Sequence, residues 1–423
     1  MKGNRTKNRY DSLIIGGGAA GMMAAITAAS RGKDVVIIER NKMLGKKLLI
    51  TGKGRCNITN FCDVKTLIEN TPANGRFMTN AFYRFTSQDA IDFFENLGVP
   101  TKVERGNRVF PVSDKALDVV SALTRYLTDL GVTILYEKVV DAKKLDDGFW
   151  VKTANGAEFT SKKLLITTGG KSYPATGSTG DGYRFARKFG HKVMPFRPSL
   201  VPIVAHQFLA IPGLPAPAVS VPALQGVSLR NAGISLQDAS GIEVFRDFGE
   251  MLFTHFGVSG PIILSATAHV QDVRGYQLII DLKPALDEKQ LDLRLQRDFE
   301  THSRKRYESV LKGLLPRKMI PVMVELSGIP SEKPVHQITH NERKRLGFLL
   351  KNLGIKLEKF RPIAEAIITS GGVDVQEIEP KTMESKVVKD LFFAGEVLDV
   401  DAYTGGFNLQ IAWSSGYCAG SSL

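Results

Sequence analysis

The sequence predicts an α/β protein: a parallel-sheet, nucleotide-binding domain interrupted by a β-rich, barrel-like insert and a small helical domain. Three observations predict it. A strand, a glycine turn, a helix and a second strand follow one another within residues 12–40. A second strand–glycine–acid–helix unit stands near the C-terminus, at 391–416. Between them the composition changes twice, first to proline-rich alternating stretches and then to basic helical ones.

Bulk properties set the frame. The chain has 423 residues, enough for two or three domains. With 43% apolar and 23% charged residues, it has the balance of a folded globular protein rather than a disordered one. Three cysteines (Cys56, Cys62, Cys418) are too few for a disulfide framework, which gives the expectation of a reducing, cytoplasmic setting. A formal net charge of +13 attracts anions such as nucleotides, acidic metabolites, nucleic acid or lipid headgroups. The sequence has no fixed-period repeat or low-complexity tract.

The first element is "SLIIGGGAAGMMAAITAASRGKDVVIIER", residues 12–40, behind a basic tail. A basic flank, an uncharged run to residue 30 and small residues at its end also describe a secretory signal. Three consecutive glycines, Gly16 to Gly18, sit badly inside the apolar helix such a signal needs. A nucleotide loop accounts for more of the residues. "LIIGGG" is a short strand running into a turn, and Gly16, Gly18 and Gly21 have G-x-G-x-x-G spacing. The following helix ends at Gly32, and "DVVIIE" is a second strand ending in Glu39, 18 residues past Gly21. Gly16 permits the tight turn, Gly18 lets backbone approach a pyrophosphate, and Gly21 lets helix and strand pack closely. Free N–H groups at the helix start bind the phosphates, and Glu39 accepts from a ribose diol.

The far end of the chain points to FAD. "LFFAGE" is a buried strand ending in Gly395 and Glu396, and "TGGFNLQIAWSSG" starts a helix at Gly405–Gly406. Many FAD enzymes use such a second unit, in which the acid holds the ribityl or ribose chain. The helix then aims its positive end at the flavin N1–C2=O edge, favouring the reduced cofactor. An ordinary strand–helix packing unit is the alternative. A third pointer is "TTGGKSYPATGSTGDGY". It follows turn signals near residues 147 and 155 that define a three-stranded meander from Val132 to Thr168.

At these residues the sequence resembles the BaiN/YhiN-like flavoproteins, or NAD(P)/FAD-dependent oxidoreductases. The matching stretches are "GKKLLITGKGRCNITN" (45–60), "RVFPVSDKALDVVSAL" (108–123), "TTGGKSYPATGSTGDGY" (167–183), "MLFTHFGVSGPIILSA" (251–266), "ITSGGV" (368–373) and "LFFAGEVLDVDAYTGGFNLQIAWSSG" (391–416). The resemblance implies a Rossmann-like FAD domain of the two-dinucleotide-binding-domain type, non-covalent FAD, and either C=C reduction, as in bile-acid metabolism, or amine oxidation. By position it puts Gly16, Gly18, Ala19 and Ala20 on the pyrophosphate, Glu39 on the adenosine ribose, and Arg40 and Asn41 at the adenine end. Lys46, Lys47, Gly52, Gly54, Arg55, Cys56 and Asn57 then run toward the flavin. Val139, Thr168, Gly169, Gly170, Gly395, Glu396, Gly406, Phe407, Asn408 and Leu409 complete the cradle. Lys53 stands where a third glycine is common among relatives.

Along the chain, residues 1–192 and 366–423 form the expected FAD domain. Ser87 can cap the helix before Gly98, and Ser113 the helix before Gly131. Residues 193–283 and 354–365 form the β-rich insert, with seven prolines between Pro195 and Pro222. Residues 284–353 form the helical domain, where Thr339 and Glu342 have capping-box spacing and Gly354 can end the helix. Residues 284–361 hold 17 Lys/Arg against 10 Asp/Glu, an interaction surface or a solvated face.

The chemistry-bearing candidates are few. Cys56 lies in the flavin strip, where it is a candidate redox or charge-transfer thiol, but Cys56 and Cys62 lack the separation of flavin disulfide reductases, and cysteine is often simply buried. His255, in "FTHFGVSGP", suits proton transfer near neutral pH or is a hydrogen-bonded structural residue. Tyr173 is a weaker proton donor, and Arg55 can orient an anionic substrate or bind phosphate. No metal is expected, because the seven histidines lack H-x-x-H or C-x-x-C clustering. The reading is an FAD-dependent oxidoreductase acting on a small molecule, with NAD(P)H as donor, no membrane association, and no prediction of oligomeric state. Residues 190–365 hold no second G-x-G-x-x-G for that donor. A nucleic-acid-binding flavoprotein ranks lower, for want of an RNA-binding motif or aromatic residues among the cations.

Overall fold

A computed structural model describes residues 8–423. The basic residues Lys2, Arg5 and Lys7 of the signal-like tail lie outside the described residues. The chain forms two compact units: residues up to Ser199 with Ile363–Leu423, and Leu200–Pro362.

The first unit is built on a seven-stranded sheet. Its order is Thr133–Tyr136, β2 (Val35–Glu39), β1 (Arg9–Ile15), Glu158–Ile166, Gly148–Thr153, Val139–Leu145, with Leu391–Phe393 also beside Glu158–Ile166. β1 runs parallel to both neighbours, with Ile14 opposite Ile37 and Leu165. These strands are unbroken apolar runs because helices or loops cover both faces of a parallel sheet. The uncharged stretch 12–30 is therefore not one helix. It is the end of β1, a turn, and α1 (Ala19–Ala29).

The meander forms from three antiparallel strands between Val139 and Ile166, while Thr133–Tyr136 leaves it to pair in parallel with β2. α1 lies against the C-terminal helix Phe407–Ser422 at very short range. A Cβ on Gly416 would stand 2.5 Å from the Ala20 carbonyl oxygen, and one on Gly420 2.4 Å from that of Ala24. Only glycine on one helix facing alanine on the other permits this crossing.

Three helix ends differ from the sequence reading. Helix Ser87–Asn96 is capped one residue earlier, by Thr86, in a reciprocal box with Asp89. Helix Ala116–Asp129 starts after Lys115 and has no side-chain cap, so Ser113 plays no such part. Helix His340–Lys351 stops at Asn352, and Gly354 sits inside the strand Leu353–Lys356. The Thr339–Glu342 box is present as expected.

The second unit has an eight-stranded sheet whose pairings are all antiparallel. Its long central strands, Ser228–Gln237 and Glu243–Thr254, follow the proline-rich stretch. The helices of residues 284–353 do not stand apart from this sheet. Leu291, Leu295, Leu346 and Leu350 share one hydrophobic core with Ile234, Leu278 and Ile280. The prolines near 195–199 belong to the first unit, where Arg197–Ser199 pairs with Ile368–Ser370. Among the described residues no helix is long and apolar enough to cross a membrane.

Candidate cofactor site

β1 ends at Ile15, and the chain must reverse within three glycines to enter α1. Gly16 has φ +109°, and a Cβ there would lie 2.6 Å from the Thr167 carbonyl oxygen. A Cβ on Gly21 would lie 2.0 Å from the Gly16 carbonyl oxygen, so helix and turn touch backbone to backbone. Gly18 is different: a Cβ there would meet nothing within 4 Å. It is the N-cap of α1 and offers no side-chain cap, and the first helical bond is Met22 N–H to the Gly18 carbonyl. The N–H groups of Ala19, Ala20 and Gly21 thus form a positive helix end beside open space.

Glu39 closes the adjoining side. Only 7% exposed, its Oε2 accepts from the Gly17 N–H at 2.7 Å and its Oε1 from Asn41 N–H at 2.8 Å and Asn41 Nδ2 at 2.7 Å. The carboxylate braces the glycine turn with three of its roughly four lone-pair sites, which leaves about one for a further donor. Asn41 also donates to the Thr176 carbonyl, and Arg40 is paired with Asp181 at 3.0 Å. These contacts lash residues 176–181 to the end of β2.

Toward the other end, Lys47 Nζ donates to Ser172 Oγ at 2.7 Å and lies 2.6 Å from Glu396 Oε2. Glu396 Oε1 accepts from Ser172 Oγ and from the Thr369 N–H. A Cβ on Gly170 would lie 2.7 Å from Glu396 Oε1, so this glycine is what admits the acid. Gly406, at φ +104°, starts the C-terminal helix, and its first bond is Gln410 N–H to the Gly406 carbonyl. Asn408 clamps the preceding turn through the Ala402 N–H and carbonyl.

Gly16, Gly18, Ala19, Ala20, Glu39, Arg40, Asn41, Lys46, Lys47, Val139, Thr168, Gly169, Gly395, Glu396, Asn408 and Leu409 line one cleft. Three features of it fit a dinucleotide: the void over Gly18, uncapped N–H groups at two helix starts, and Thr168 Oγ1, which is buried without a partner. The cleft thus offers uncapped N–H donors and buried oxygen acceptors of the kinds a dinucleotide needs.

Other expected residues stand elsewhere. Gly52 and Gly54 form the tight turn after Thr51, with Lys53 also at positive φ. Arg55 is not free for phosphate, because Glu104 and Asp114 each hold it at 2.5 Å and it lies over the Phe110 ring. Cys56 is fully buried, and burial pushes its thiol up to about 12, against a weaker opposing hydrogen bond with Thr51. A thiolate is therefore disfavoured there. Asn57 Oδ1 is buried and unpartnered, while Gly406 and Phe407 pack beneath the cleft rather than lining it. Tyr173 is 36% exposed at φ +49°. His255 is exposed in the second unit, on the turn before Gly257–Ser259, with its ring against Phe256. No group of His, Cys, Asp or Glu among the described residues could hold a metal.

The sequence reading missed several cleft residues. Thr51, Gly177, Ser178, Asp181 and Ile368 line the cleft, and Ser172 supports Glu396. Gly17 was legible: the middle glycine of three supplies the N–H that Glu39 needs, and its Cβ would strike Leu44 at 2.3 Å.

The family profile described as "HI0933-like protein Rossmann domain" matches residues 10–422. Over 420 residues the chain is 33% identical to the 3-dehydro-bile acid delta(4,6)-reductase of Clostridium scindens, covering 96% of this chain and 97% of that protein. Over 417 residues it is 32% identical to the ribosomal RNA dihydrouridine synthase of Escherichia coli, covering 98% of each. Among solved structures, the open conformation of a flavocytochrome c3 fumarate reductase matches with a TM-score of 0.52 at 16% identity. That match covers 98% of this chain and 78% of the other and is a likeness of fold.

Proposed function

The chain belongs to the HI0933-like family and is an FAD-dependent oxidoreductase, and from that premise we propose that it reduces a C=C bond conjugated to a carbonyl. One observation carries the reading. The two full-length relatives act on molecules as unlike as a bile acid and ribosomal RNA, yet their names describe one change. Both saturate a ring double bond activated by a carbonyl.

Bound FAD would supply hydride chemistry for such a bond, with a nicotinamide as the two-electron donor. The chain's own residues do the rest. The N–H groups opening α1 and the bare backbone at Gly18 hold the pyrophosphate. Glu39 accepts from the adenosine ribose while bracing the turn through Gly17. Lys47, Ser172 and Thr369 fix the Glu396 carboxylate where it can accept from the sugar-like chain. The start of the Phe407–Ser422 helix directs a positive end toward the site that gains negative charge on reduction.

Saturation needs a hydride at the β-carbon and a proton at the α-carbon. Tyr173 and His255 are our proton-donor candidates, both accessible. Cys56 is not, being buried, protonated and outside the cleft lining. NAD(P)H has no G-x-G-x-x-G unit of its own in 190–365, so it docks in the substrate's place and the kinetics are ping-pong.

Anaerobic mixing tests the reading. NADH or NADPH should bleach the flavin band, and an enone or a uracil-containing RNA should restore it in equal amount. Bleaching by amines and by neither nicotinamide would replace this reading with the oxidase. The excess of 17 basic over 10 acidic residues within 284–361 favours RNA as the carrier of the reducible ring over a free small molecule.

A further inference from the structure

We propose that the outward face shared by helices Glu288–Thr301 and His340–Lys351 is an RNA-docking surface, an inference that rests on RNA carrying the reducible ring. On the first helix Leu291, Leu295 and Phe299 are buried, which turns Lys289, Leu293 and Arg297 outward at four-residue intervals. On the second, Leu346, Leu349 and Leu350 are buried, which turns Lys344 and Phe348 outward.

The two outward stripes adjoin. Arg343 Nε lies 2.8 Å from Asp292 Oδ1, and a Cβ on Gly347 would lie 3.8 Å from Leu295 Cδ1. That side-by-side packing leaves Lys289, Arg297 and Lys344 around two large apolar side chains, Leu293 at 57% and Phe348 at 51% exposure.

Within these two helices the other cations are engaged: Arg294 is paired with Asp298, Arg343 with Asp292 and Lys351 with Asp281, and Arg345 donates to the Ser327 carbonyl. Among the described residues Lys289, Arg297 and Lys344 form no ion pair. Glu300 is a carboxylate on the same side, and exposed Arg304, just past the helix, offsets it. The loop carrying Arg304 is pinned by Val335 N–H to the Lys305 carbonyl at 3.0 Å and His336 N–H to the Ser303 carbonyl at 3.2 Å. Unpaired cations around an exposed aromatic ring match a single-stranded or looped RNA. Phosphates take the cations, and an unstacked base takes the Phe348 face.

The test is fluorescence anisotropy of a uridine-rich stem–loop RNA bound to the full-length flavoprotein across a salt series. The triple variant K289E/R297E/K344E should bind at least ten-fold more weakly at low salt, and its log–log salt slope should be shallower by about 2–3. Phe348→Ala should weaken binding about five-fold or more with the slope unchanged. FAD content and nicotinamide bleaching should match wild type in both variants. Wild-type affinity and slope in the triple variant would overturn the surface. So would wild-type protein that ignores RNA but binds phosphatidylserine–phosphatidylcholine vesicles. RNA binding lost in the triple variant, with no uracil reduced even by wild type, upholds the surface and instead sinks the C=C reading.

Discussion

Lys47 Nζ lies 2.6 Å from Glu396 Oε2, across 349 positions of sequence. The pair is mostly shielded, with side chains 25% and 12% exposed. Removing the acid therefore leaves an ammonium facing the cleft with one hydroxyl partner, Ser172. Glu396→Ala should cut FAD affinity roughly ten- to hundred-fold, the worth of one or two charge-assisted hydrogen bonds. Lys47→Met in the same chain should cost less than it does alone, because the pair is coupled. Fluorescence titration of FAD onto deflavinated protein measures both, and strictly additive losses would mean that the pair does not act as a unit.

Glu39→Ala should also weaken FAD about ten- to hundred-fold, for a partly different reason. It removes the acceptor we propose for the ribose and also frees the Gly17 N–H and Asn41, which hold the turn. Glu39→Gln keeps an acceptor oxygen and should recover part of the affinity. Equal affinity in all three proteins would move the ribose elsewhere.

Two glycines of one motif should fail differently. Gly18→Ala adds a methyl group to open space at an ordinary backbone angle. It should leave the deflavinated protein's Tm unchanged while FAD is lost on gel filtration. Gly21→Ala drives a methyl group to 2.0 Å from a carbonyl oxygen and should lower the Tm of the deflavinated protein itself. Matching behaviour of the two variants would contradict the division between contact with ligand and contact with chain.

His191 gives a pH dependence. Its ring is buried, with Nδ1 3.0 Å from Glu377 Oε2 and Nε2 2.7 Å from Ser385 Oγ. Burial holds the imidazole below its usual pKa of 6.5, against the pull of Glu377. The unfolded chain therefore binds this proton first. The stability His191 contributes is full above about pH 6.5 and is lost as pH falls from there through the lower folded value. A plot of Tm against pH should fall more steeply below pH 6.5 for wild type than for His191→Gln. Parallel curves would show that this ring is not the group being titrated.

What was legible in the sequence, and what was not, follows from distance along the chain. The glycine turn, Glu39 and the strands around them form one local unit, so spacing alone revealed them. Glu396 was legible because it repeats that local pattern. Arg55 was misread because its partners, Glu104 and Asp114, stand 49 and 59 residues away on a hairpin and in the turn beyond it. Cys56 was open to either reading until its burial was known. The capping residue of Ser87–Asn96 was off by one because both Thr86 and Ser87 can cap, and only the Asp89 reach-back chooses Thr86. The stripe of Lys289, Arg297 and Lys344 was not legible, because its halves stand on helices that adjoin only in the fold, as Arg343 and Asp292 do across 51 positions.

The glycine-on-alanine crossing of α1 and the Phe407–Ser422 helix also sets a schedule for the molecule's birth. On the ribosome α1 is made first, and Gly416 and Gly420, which pack on its Ala20 and Ala24, follow about 396 residues later. At about 5–20 residues per second that interval is roughly 20–80 seconds. During it the face of α1 that carries Ala20 and Ala24 is uncovered. Newly made chains should therefore load FAD only once the Phe407–Ser422 helix has been made and has packed against α1.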